Sequence, residues 1–201
     1  MYRYLKRLIA IILSASALII LSPLMLLIAI IIKFDSKGPV FFKQKRVGKN
    51  KKYFMIYKYR SMYIDAPSEM PTHLLKDPNA MITKVGKFLR KTSLDELPQL
   101  INILKGEMAI VGPRPALWNQ YDLINERDKY KANDIRPGLT GWAQINGRDE
   151  LEIEEKAKLD GYYVNHLNFA MDVKCFIGTF ISVLKSDGVV EGGTGQKYKD
   201  R

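Results

Sequence analysis

Two adjacent carboxylates, Asp95 and Glu96, are the side chains in this sequence best suited to chemistry on phosphorus. Arg90 and Lys91 precede them closely, and a carboxylate beside cations is held ionised, so it can serve as a nucleophile or a metal ligand. Aspartate attack on phosphorus, which gives an aspartyl phosphate, is established chemistry. Neighbouring helical residues point about 100° apart, so the two carboxylates need not do the same job.

The same segment has a purely structural interpretation. Ser93-Leu94-Asp95-Glu96 has the spacing of a capping box, in which Glu96 bonds back to the amide of Ser93. Acidic residues in the first turn of a helix also stabilise its dipole. Taken without context, the segment favours capping over catalysis.

Three arginines are candidates for holding phosphate groups. Arg114 lies between Pro113 and Pro115, which fix the backbone and suit a guanidinium presented to a phosphate. Arg136 and Arg148 bracket a segment with three glycines, whose amides could approach an anion closely. The glycine spacing matches neither a P-loop nor a dinucleotide fingerprint. A solvated turn arginine is the structural alternative.

The amino-acid composition bears on metal sites, disulfides and the charge of the expected partners. His73 and His166 are the only histidines and lack a paired ligand pattern, so a zinc site is not expected. The single cysteine, Cys175, excludes an internal disulfide framework and favours a reducing compartment. The formal net charge of +11 predicts anionic partners, with nucleic acid, anionic lipid and phosphorylated substrates all eligible.

An apolar run near the N-terminus predicts a membrane element. Residues 8–32 contain no charged side chain, and this run is long enough for a spanning helix. Pro23 lacks an N–H and crowds the carbonyl of Ile19, so a kink or break is expected there, with the Ser22 hydroxyl available to a freed carbonyl. The two pieces reach roughly 21 Å and roughly 15 Å, and neither alone crosses a hydrocarbon core of about 30 Å.

Cations flank both ends of the run, and the positive-inside bias therefore draws both ends to the cytoplasmic side. A bent, re-entrant helix satisfies this bias, while a kinked spanning helix stays open with equal weight. A signal peptide is disfavoured, because cleavage after Ala17 would leave an apolar mature start.

The remaining chain predicts an α+β, mostly helical fold with a short β-hairpin. Residues 40–42 and 53–57 have strand composition around a basic segment. Helical patterns cover 86–105, ending at Gly106, and 118–130, 150–164 and 169–184, while 136–148 is predicted to be a loop. The 169–184 helix is amphipathic, which suits the membrane interface or a core-packing position.

Taken together, these segments resemble the bacterial sugar transferase family, the monotopic phosphoglycosyl transferases, in their small form that comprises only the hairpin and catalytic domain. The resemblance covers nearly the whole chain. The motifs occur in the family's order at 45–48, 57–62, 93–99, 112–115 and 136–141. The Asp-Glu and Gly-Pro-Arg-Pro segments at this separation are specific in combination.

The resemblance implies a re-entrant helix broken at Ser22-Pro23 and a catalytic dyad of Asp95 and Glu96. Asp95 would be the nucleophile that forms a covalent phospho-sugar and releases UMP, after which polyprenyl (undecaprenyl) phosphate takes the phospho-sugar. Glu96 would be associated with the required Mg²⁺. The residues expected to bind the substrate are Arg90, Arg114, Arg136 and Arg148.

The implied organisation is a membrane hairpin at 1–34, a cytoplasmic catalytic domain with amphipathic interfacial helices at 35–187, and a polar Gly-rich tail at 188–201. The expected location is the bacterial inner membrane, with the catalytic domain on the cytoplasmic face. Expected partners are a UDP-sugar, undecaprenyl phosphate and anionic membrane lipids, without nucleic acid; a homodimer is compatible with the family. Alternatives are direct transfer in a ternary complex and a non-catalytic membrane scaffold.

Overall fold

The computed structural model describes residues 1–67, 78–147 and 151–185. The fold is α+β and mostly helical, as predicted. The helices are α1 (Tyr2–Asp35), α2 (Pro78–Met81), α3 (Lys84–Lys91), α4 (Gln99–Lys105), α5 (Tyr121–Asp128), α6 (Trp142–Ile145), α7 (Ile153–Asn165) and α8 (Phe169–Lys185). The strands are β1 (Phe41–Val47), β2 (Tyr53–Tyr59), β3 (Ala109–Val111) and β4 (Gly138–Thr140), and short 3₁₀ turns lie at Lys49–Lys51, Leu94–Glu96 and Ala132–Asp134.

Strands β1 and β2 form the predicted antiparallel hairpin. Their register runs from the pair Phe41 and Tyr59 at the open end to the pair Val47 and Tyr53 at the turn. The hairpin packs through β2 on α4, where the buried Asn102 amide donates to a β2 carbonyl and its oxygen accepts from a β2 amide, at 2.8 and 3.0 Å. This seam fixes the position of β2 relative to the segment that precedes α4.

Helix α1 runs as one element through Pro23. The Ser22 hydroxyl donates to the carbonyl of Ile19 at 2.8 Å. That carbonyl lies four residues before the proline and therefore lacks its usual N–H partner. The expected compensation by Ser22 is confirmed. The helix continues through the proline instead of dividing into two elements, and the re-entrant path stays a prediction.

One stripe of α1 is buried against the rest of the protein. Ala10 packs with β2 and α4, while Ile28 and Ile32 pack with Tyr59 and Leu89. The outward face of α1 is exposed. By length and composition the helix could cross a membrane, and only 11% of its most apolar stretch of 18 residues is buried within the protein. The exposed apolar face therefore needs an apolar environment from outside the chain.

Both ends of α1 are tied to the same folded body. Near its start, Arg7 donates to two carbonyls at the C-terminal end of α4, at 2.5 and 2.9 Å, and Lys6 forms a 2.8 Å ion pair with Asp172 of α8. At its end, the buried Arg60 donates to the last-turn carbonyl of Ile32 at 3.3 Å. The helix is consequently anchored at both ends.

The single helix predicted over 86–105 is wrong, because three elements occupy the segment. Helix α3 ends at Lys91, and Ser93 follows in the left-handed region with φ of 56°. The Leu94–Glu96 turn comes next, and α4 begins after Pro98, which has no N–H to donate into a continuous helix. Gly106 ends α4 with φ of 85°, as predicted.

The loop predicted over 136–148 is also corrected, since it contains β4 and α6. Strand β4 lies parallel to β3, and a Cβ at Gly138 would lie 2.1 Å from the backbone N of Gly112. A Cβ at Gly141 would lie 2.1 Å from the carbonyl O of Gly112. These two glycines let two backbone segments pack together, and no ligand is needed to explain them.

The three remaining predicted helices are present as α5, α7 and α8. Helix α8 buries Met171 and Cys175 against Val111 and Tyr163. Its other side exposes large apolar side chains, at Phe169, Val173, Phe176, Ile177, Phe180 and Ile181. The helix is therefore both a core-packing element and an amphipathic surface. The predicted tail at 188–201 lies outside the described residues.

Candidate active site

Asp95 and Glu96 lie in the 3₁₀ turn between α3 and α4. The capping-box interpretation is wrong, because the Ser93 side chain makes no cap hydrogen bond and Ser93 itself has left-handed backbone angles. The contact between the two positions is a backbone bond from the Glu96 amide to the Ser93 carbonyl, at 3.2 Å. The Glu96 carboxylate turns instead toward two cations.

Glu96 is held by Lys58 of β2 and Arg114 of the loop after β3. Lys58 Nζ lies 2.8 Å and Arg114 Nη2 lies 2.6 Å from Glu96 Oε1, and Arg114 Nη1 lies 3.4 Å from Oε2. Burial alone would raise the pKa of Glu96, but Arg114 and Lys58 overcome it and hold this pKa well below its usual range. Glu96 is therefore a fixed anion that positions both cations.

Lys58 lies next to the last residue of β2, at the open end of the hairpin, and its side chain reaches Glu96 from there. Burial lowers the pKa of Lys58, and the attraction of Glu96 acts in the opposite direction. The ammonium is almost enclosed, with 17% of its side chain exposed. A cation in such a setting interacts strongly with a phosphate, since water screens it little.

Asp95 differs sharply from its neighbour. It is 7% exposed, and its carboxylate makes no hydrogen bond or ion pair among the residues that the structure describes. Burial is the largest influence and raises the pKa of Asp95, and the charge of Glu96 raises it further. The cations Lys58, Arg90 and Arg114 lower this pKa but do not cancel the rise. The carboxylate therefore has unoccupied lone pairs beside three cations, which suits a nucleophile.

Asp95 lines a cavity of about 380 Å³. One part of the lining is polar and mostly cationic, with Gln44, Arg46, Lys58 and Arg90 beside Asp95. Another part is apolar and comes from the start of β1 and the segments on either side of the hairpin, at Pro39, Phe41, Phe42, Met62 and Ile64. This combination suits a ligand that carries both phosphate and apolar groups.

Arg114 is fixed by more than its two prolines. Its carbonyl accepts a 2.9 Å hydrogen bond from Arg127, whose guanidinium forms a 2.6 Å ion pair with Asp160. Arg127 and Asp160 are 4% and 1% exposed, so this pair is sealed inside the protein. Arg46 also donates to the carbonyl of Pro115 at 3.0 Å. Two buried or half-buried arginines thus fix the backbone at Arg114 and Pro115.

The structure brings some predicted residues together and separates one. Arg90 and Arg114 lie close enough to Asp95 to lower its pKa, and their role in substrate binding stays a prediction. Arg136 lies elsewhere: its Nε donates to the carbonyl of Gly106 at 2.8 Å, and it lines a second cleft. Arg148 lies outside the described residues.

Sequence reasoning missed the roles of Lys58, Arg127 and Asp160. The Tyr-Lys-Tyr-Arg motif around Lys58 was visible, but its pairing with Glu96 spans 38 residues. Arg127 and Asp160 lie on different helices, 33 residues apart. No local pattern connects partners at such separations, so only the fold reveals them.

Magnesium was predicted at Glu96. The described residues contain no group of three or more His, Cys, Asp or Glu side chains that could hold a metal by themselves. Within the part of the chain that the structure describes, Asp95 makes no side-chain hydrogen bond, and Glu96 Oε2 accepts only a long contact of 3.4 Å. One or two carboxylates together with substrate phosphates form the usual Mg²⁺ site. The residues present fit a metal that arrives with a phosphorylated substrate.

Comparison with known proteins identifies the family of the chain. The family model described as "Bacterial sugar transferase" matches residues 1–186, nearly the whole chain. The chain belongs to the bacterial sugar transferase family. Within the family, it is 42% identical over 159 residues to the uncharacterized sugar transferase EpsL of Bacillus subtilis, covering 79% of this chain and 77% of EpsL.

Two further sugar transferase relatives differ in size. The exopolysaccharide production protein PSS of Rhizobium leguminosarum bv. phaseoli is 41% identical over 194 residues, covering 90% of this chain and 95% of PSS. The UDP-glucose:undecaprenyl-phosphate glucose-1-phosphate transferase of Escherichia coli is also 41% identical, over 192 residues and 91% of this chain, but the match covers only 40% of that transferase. The chain therefore spans less than half of this larger relative.

Proposed function

We propose that this protein transfers a sugar 1-phosphate from a UDP-sugar to undecaprenyl phosphate, which gives undecaprenyl-diphosphate-sugar and UMP. The observation that carries the proposal is the Asp95 carboxylate, free of hydrogen bonds within the described chain and surrounded by Lys58, Arg90 and Arg114. The E. coli relative, by its name, performs a reaction of this type.

The first step is attack of an Asp95 carboxylate oxygen on the β-phosphorus of the UDP-sugar. The bond from this phosphorus to the bridging oxygen breaks, and the electron pair leaves with UMP. The product is a mixed anhydride between Asp95 and the sugar phosphate. Because charge develops on the phosphoryl and leaving oxygens, fixed cations such as Lys58 and Arg114 stabilise the transition state.

In the second step an oxygen of undecaprenyl phosphate attacks the same phosphorus. The bond to Asp95 breaks, the carboxylate is regenerated, and the new diphosphate carries the sugar. Glu96 takes no part in bond making; it holds Lys58 and Arg114 in place. Mg²⁺ held by Glu96 and Asp95 with the substrate phosphates would supply further charge neutralisation.

The proposed location is the cytoplasmic face of the bacterial inner membrane, with α1 entering and leaving on one side. The attachment of both ends of α1 to the same folded body supports this topology. A helix that crossed the bilayer would carry its two ends to opposite sides, about 30 Å apart or more. The exposed apolar residues of α8 support contact with the same interface.

A transfer assay tests the proposed function. Purified protein with Mg²⁺, undecaprenyl phosphate and a panel of UDP-sugars should form a lipid-linked sugar and an equal amount of UMP. Asp95→Asn should lower the rate by about a thousandfold or more, because the nucleophile is removed. Asp122→Asn is the matched control, since Asp122 is an exposed carboxylate on α5. Absence of product across the panel would favour a non-catalytic scaffold.

A further inference from the structure

A second cleft lies where the start of α1 meets the end of α4 and strand β3. Its volume is about 70 Å³, and it shares no lining residue with the Asp95 cavity. Among the described residues, its lining contains one carboxylate, Asp134. Against this stand five cationic side chains, at Arg3, Lys6, Arg7, Lys49 and Arg136.

Two of these cations are rigidly mounted close to each other. Arg7 donates to two carbonyls at the end of α4, and Arg136 donates through Nε to the carbonyl of Gly106 immediately after it. The two guanidiniums are near enough for their charges to repel. A negative group between them would relieve this repulsion and gain two charge-assisted hydrogen-bond donors.

The remaining cations leave the cleft with excess positive charge. Lys6 is offset by its ion pair with Asp172. Arg3 and Lys49 form no ion pair within residues 1–67, 78–147 and 151–185. Their charges add to those of Arg7 and Arg136, and among the described residues of the lining only Asp134 opposes them.

The position and size of the cleft indicate its ligand. Arg3, Lys6 and Arg7 occupy the first two turns of α1, directly before the uncharged run 8–32. Cations at such a boundary lie at the level of lipid headgroups. A volume of about 70 Å³ has room for several waters and therefore for a phosphate group.

We propose that this cleft binds the phosphate diester of an anionic phospholipid headgroup. The site gives Arg136 a role in lipid binding, separate from the substrate chemistry at Asp95. It also anchors the start of α1 and the end of α4 to the headgroup layer, next to the folded body that contains Asp95. The proposal does not depend on sugar transfer.

The test is a calorimetric titration of the full-length protein in neutral detergent with short-chain phosphatidylglycerol. Arg3→Gln combined with Lys49→Gln should weaken binding by about thirtyfold, because each surface cation contributes about fivefold. Both side chains are exposed, so the fold should be retained, which circular dichroism checks. Lys52→Gln is the matched control for Lys49, because it lies in the same hairpin turn and does not line the cleft.

Specific outcomes decide the proposal. Retained affinity in Lys52→Gln, with lost affinity in the double variant, supports it. Affinity is also measured for Lys49→Gln alone. Equal losses in Lys49→Gln and Lys52→Gln would overturn the proposal, since diffuse surface charge would then explain binding. Retained affinity in the double variant would overturn it as well. Displacement of the lipid by an equal concentration of inorganic phosphate would also overturn it in favour of a free-phosphate site. The titration contains neither donor nor acceptor, so its result stands whether or not transfer is observed.

Discussion

At the scale of single residues, the site depends on two neighbouring carboxylates in opposite settings. Glu96 accepts from Lys58 and Arg114, and these cations lower its pKa against the effect of burial. Asp95 is buried without a hydrogen bond in the described chain, and its pKa is raised. Adjacent positions along the backbone thus place one carboxylate on two cations and leave the other with open lone pairs, which suits the proposed nucleophile.

The raised pKa of Asp95 predicts the pH dependence of the reaction. Only the ionised carboxylate attacks, so kcat/KM should fall as the pH drops through a value above the ordinary aspartate pKa of about 3.9. Arg90→Gln removes a charge that lowers this pKa, so the acid limb should move to higher pH. The measurement is the pH profile of kcat/KM, independent of the absolute rate.

Lys87→Gln provides the control for this experiment. Lys87 lies on α3 with Arg90 but is exposed and does not line the Asp95 cavity. The acid limb of the kcat/KM profile of Lys87→Gln should coincide with that of the wild type. An unmoved limb in Arg90→Gln would mean that another group titrates.

The sequence predicted those site residues that lie next to each other in the chain, and it missed partners that lie far apart. Asp95 and Glu96 stand side by side, and the motif around them identified the pair through the family resemblance. The local pattern alone favoured capping, which the left-handed Ser93 excludes. The Arg127–Asp160 pair could not be predicted, because its partners come from two helices with no shared pattern.

At the scale of elements, the parallel pair β3 and β4 sets the position of Arg114. Gly138 and Gly141 lie so close to Gly112 that a side chain at either position would collide with backbone atoms. The glycine-rich segment was predicted as a loop because glycine and proline dominate it. Its strand forms through backbone pairing with β3, a long-range contact that local composition does not reveal.

Gly138→Ala should therefore disturb both stability and activity. The added Cβ meets the Gly112 amide N at 2.1 Å, which only a backbone shift can relieve. Overpacking of this kind should lower Tm by about 6 °C or more and displace Arg114. Thermal unfolding and the transfer rate are the readouts.

Gly178→Ala is the matched control for this substitution. There the new Cβ meets Ile145 Cδ1 at 2.8 Å, the far end of a flexible side chain. Alanine also favours a helix over glycine by about 1 kcal/mol, so α8 should tolerate the change. Equal losses in the two variants would contradict a specific role for the β3–β4 contact.

Helix α1 shows what periodicity predicts well and what it does not. The apolar run predicted the element, and the Ser22 to Ile19 hydrogen bond was anticipated from Pro23. The face that packs on the domain was not anticipated, since residues 8–32 are apolar all round and offer no polar side to orient them. Burial of Ile28 and Ile32 against Tyr59 and Leu89 defines that face.

Adjacent isoleucines in the last turn of α1 test this assignment. Ile32 is 2% exposed and Ile31 is 40% exposed. Ile32→Ala should cost about 2–5 kcal/mol of unfolding free energy, because it leaves a cavity in the core. Ile31→Ala should change stability in detergent by about 0.5 kcal/mol or less. Similar losses from both variants would mean that α1 does not pack through this face.

At the scale of the whole molecule, α1 and the remainder form one packed unit. The start of α1 contacts α4 and α8, and its end contacts Arg60 and Tyr59. Both the outer face of α1 and one side of α8 expose large apolar side chains. The net charge of +11 suits an anionic membrane surface and anionic substrates.

Cysteine labelling tests the one-sided topology. Single substitutions Tyr4→Cys and Lys37→Cys place thiols at the two ends of α1, and the native Cys175 is buried. A membrane-impermeant maleimide should label both sites in inverted vesicles and neither site in intact spheroplasts. Labelling of one site in each preparation would show a spanning helix and contradict the re-entrant topology.

The central claim is that Asp95 forms a covalent bond to the sugar phosphate. It is tested most directly by intact-protein mass spectrometry after incubation with a UDP-sugar and Mg²⁺ in the absence of undecaprenyl phosphate. The account predicts a mass increase of one phospho-sugar on Asp95, an equal amount of released UMP, and no adduct in Asp95→Asn. Product formation on later addition of undecaprenyl phosphate, without any adduct or early UMP, would contradict it and indicate direct transfer in a ternary complex.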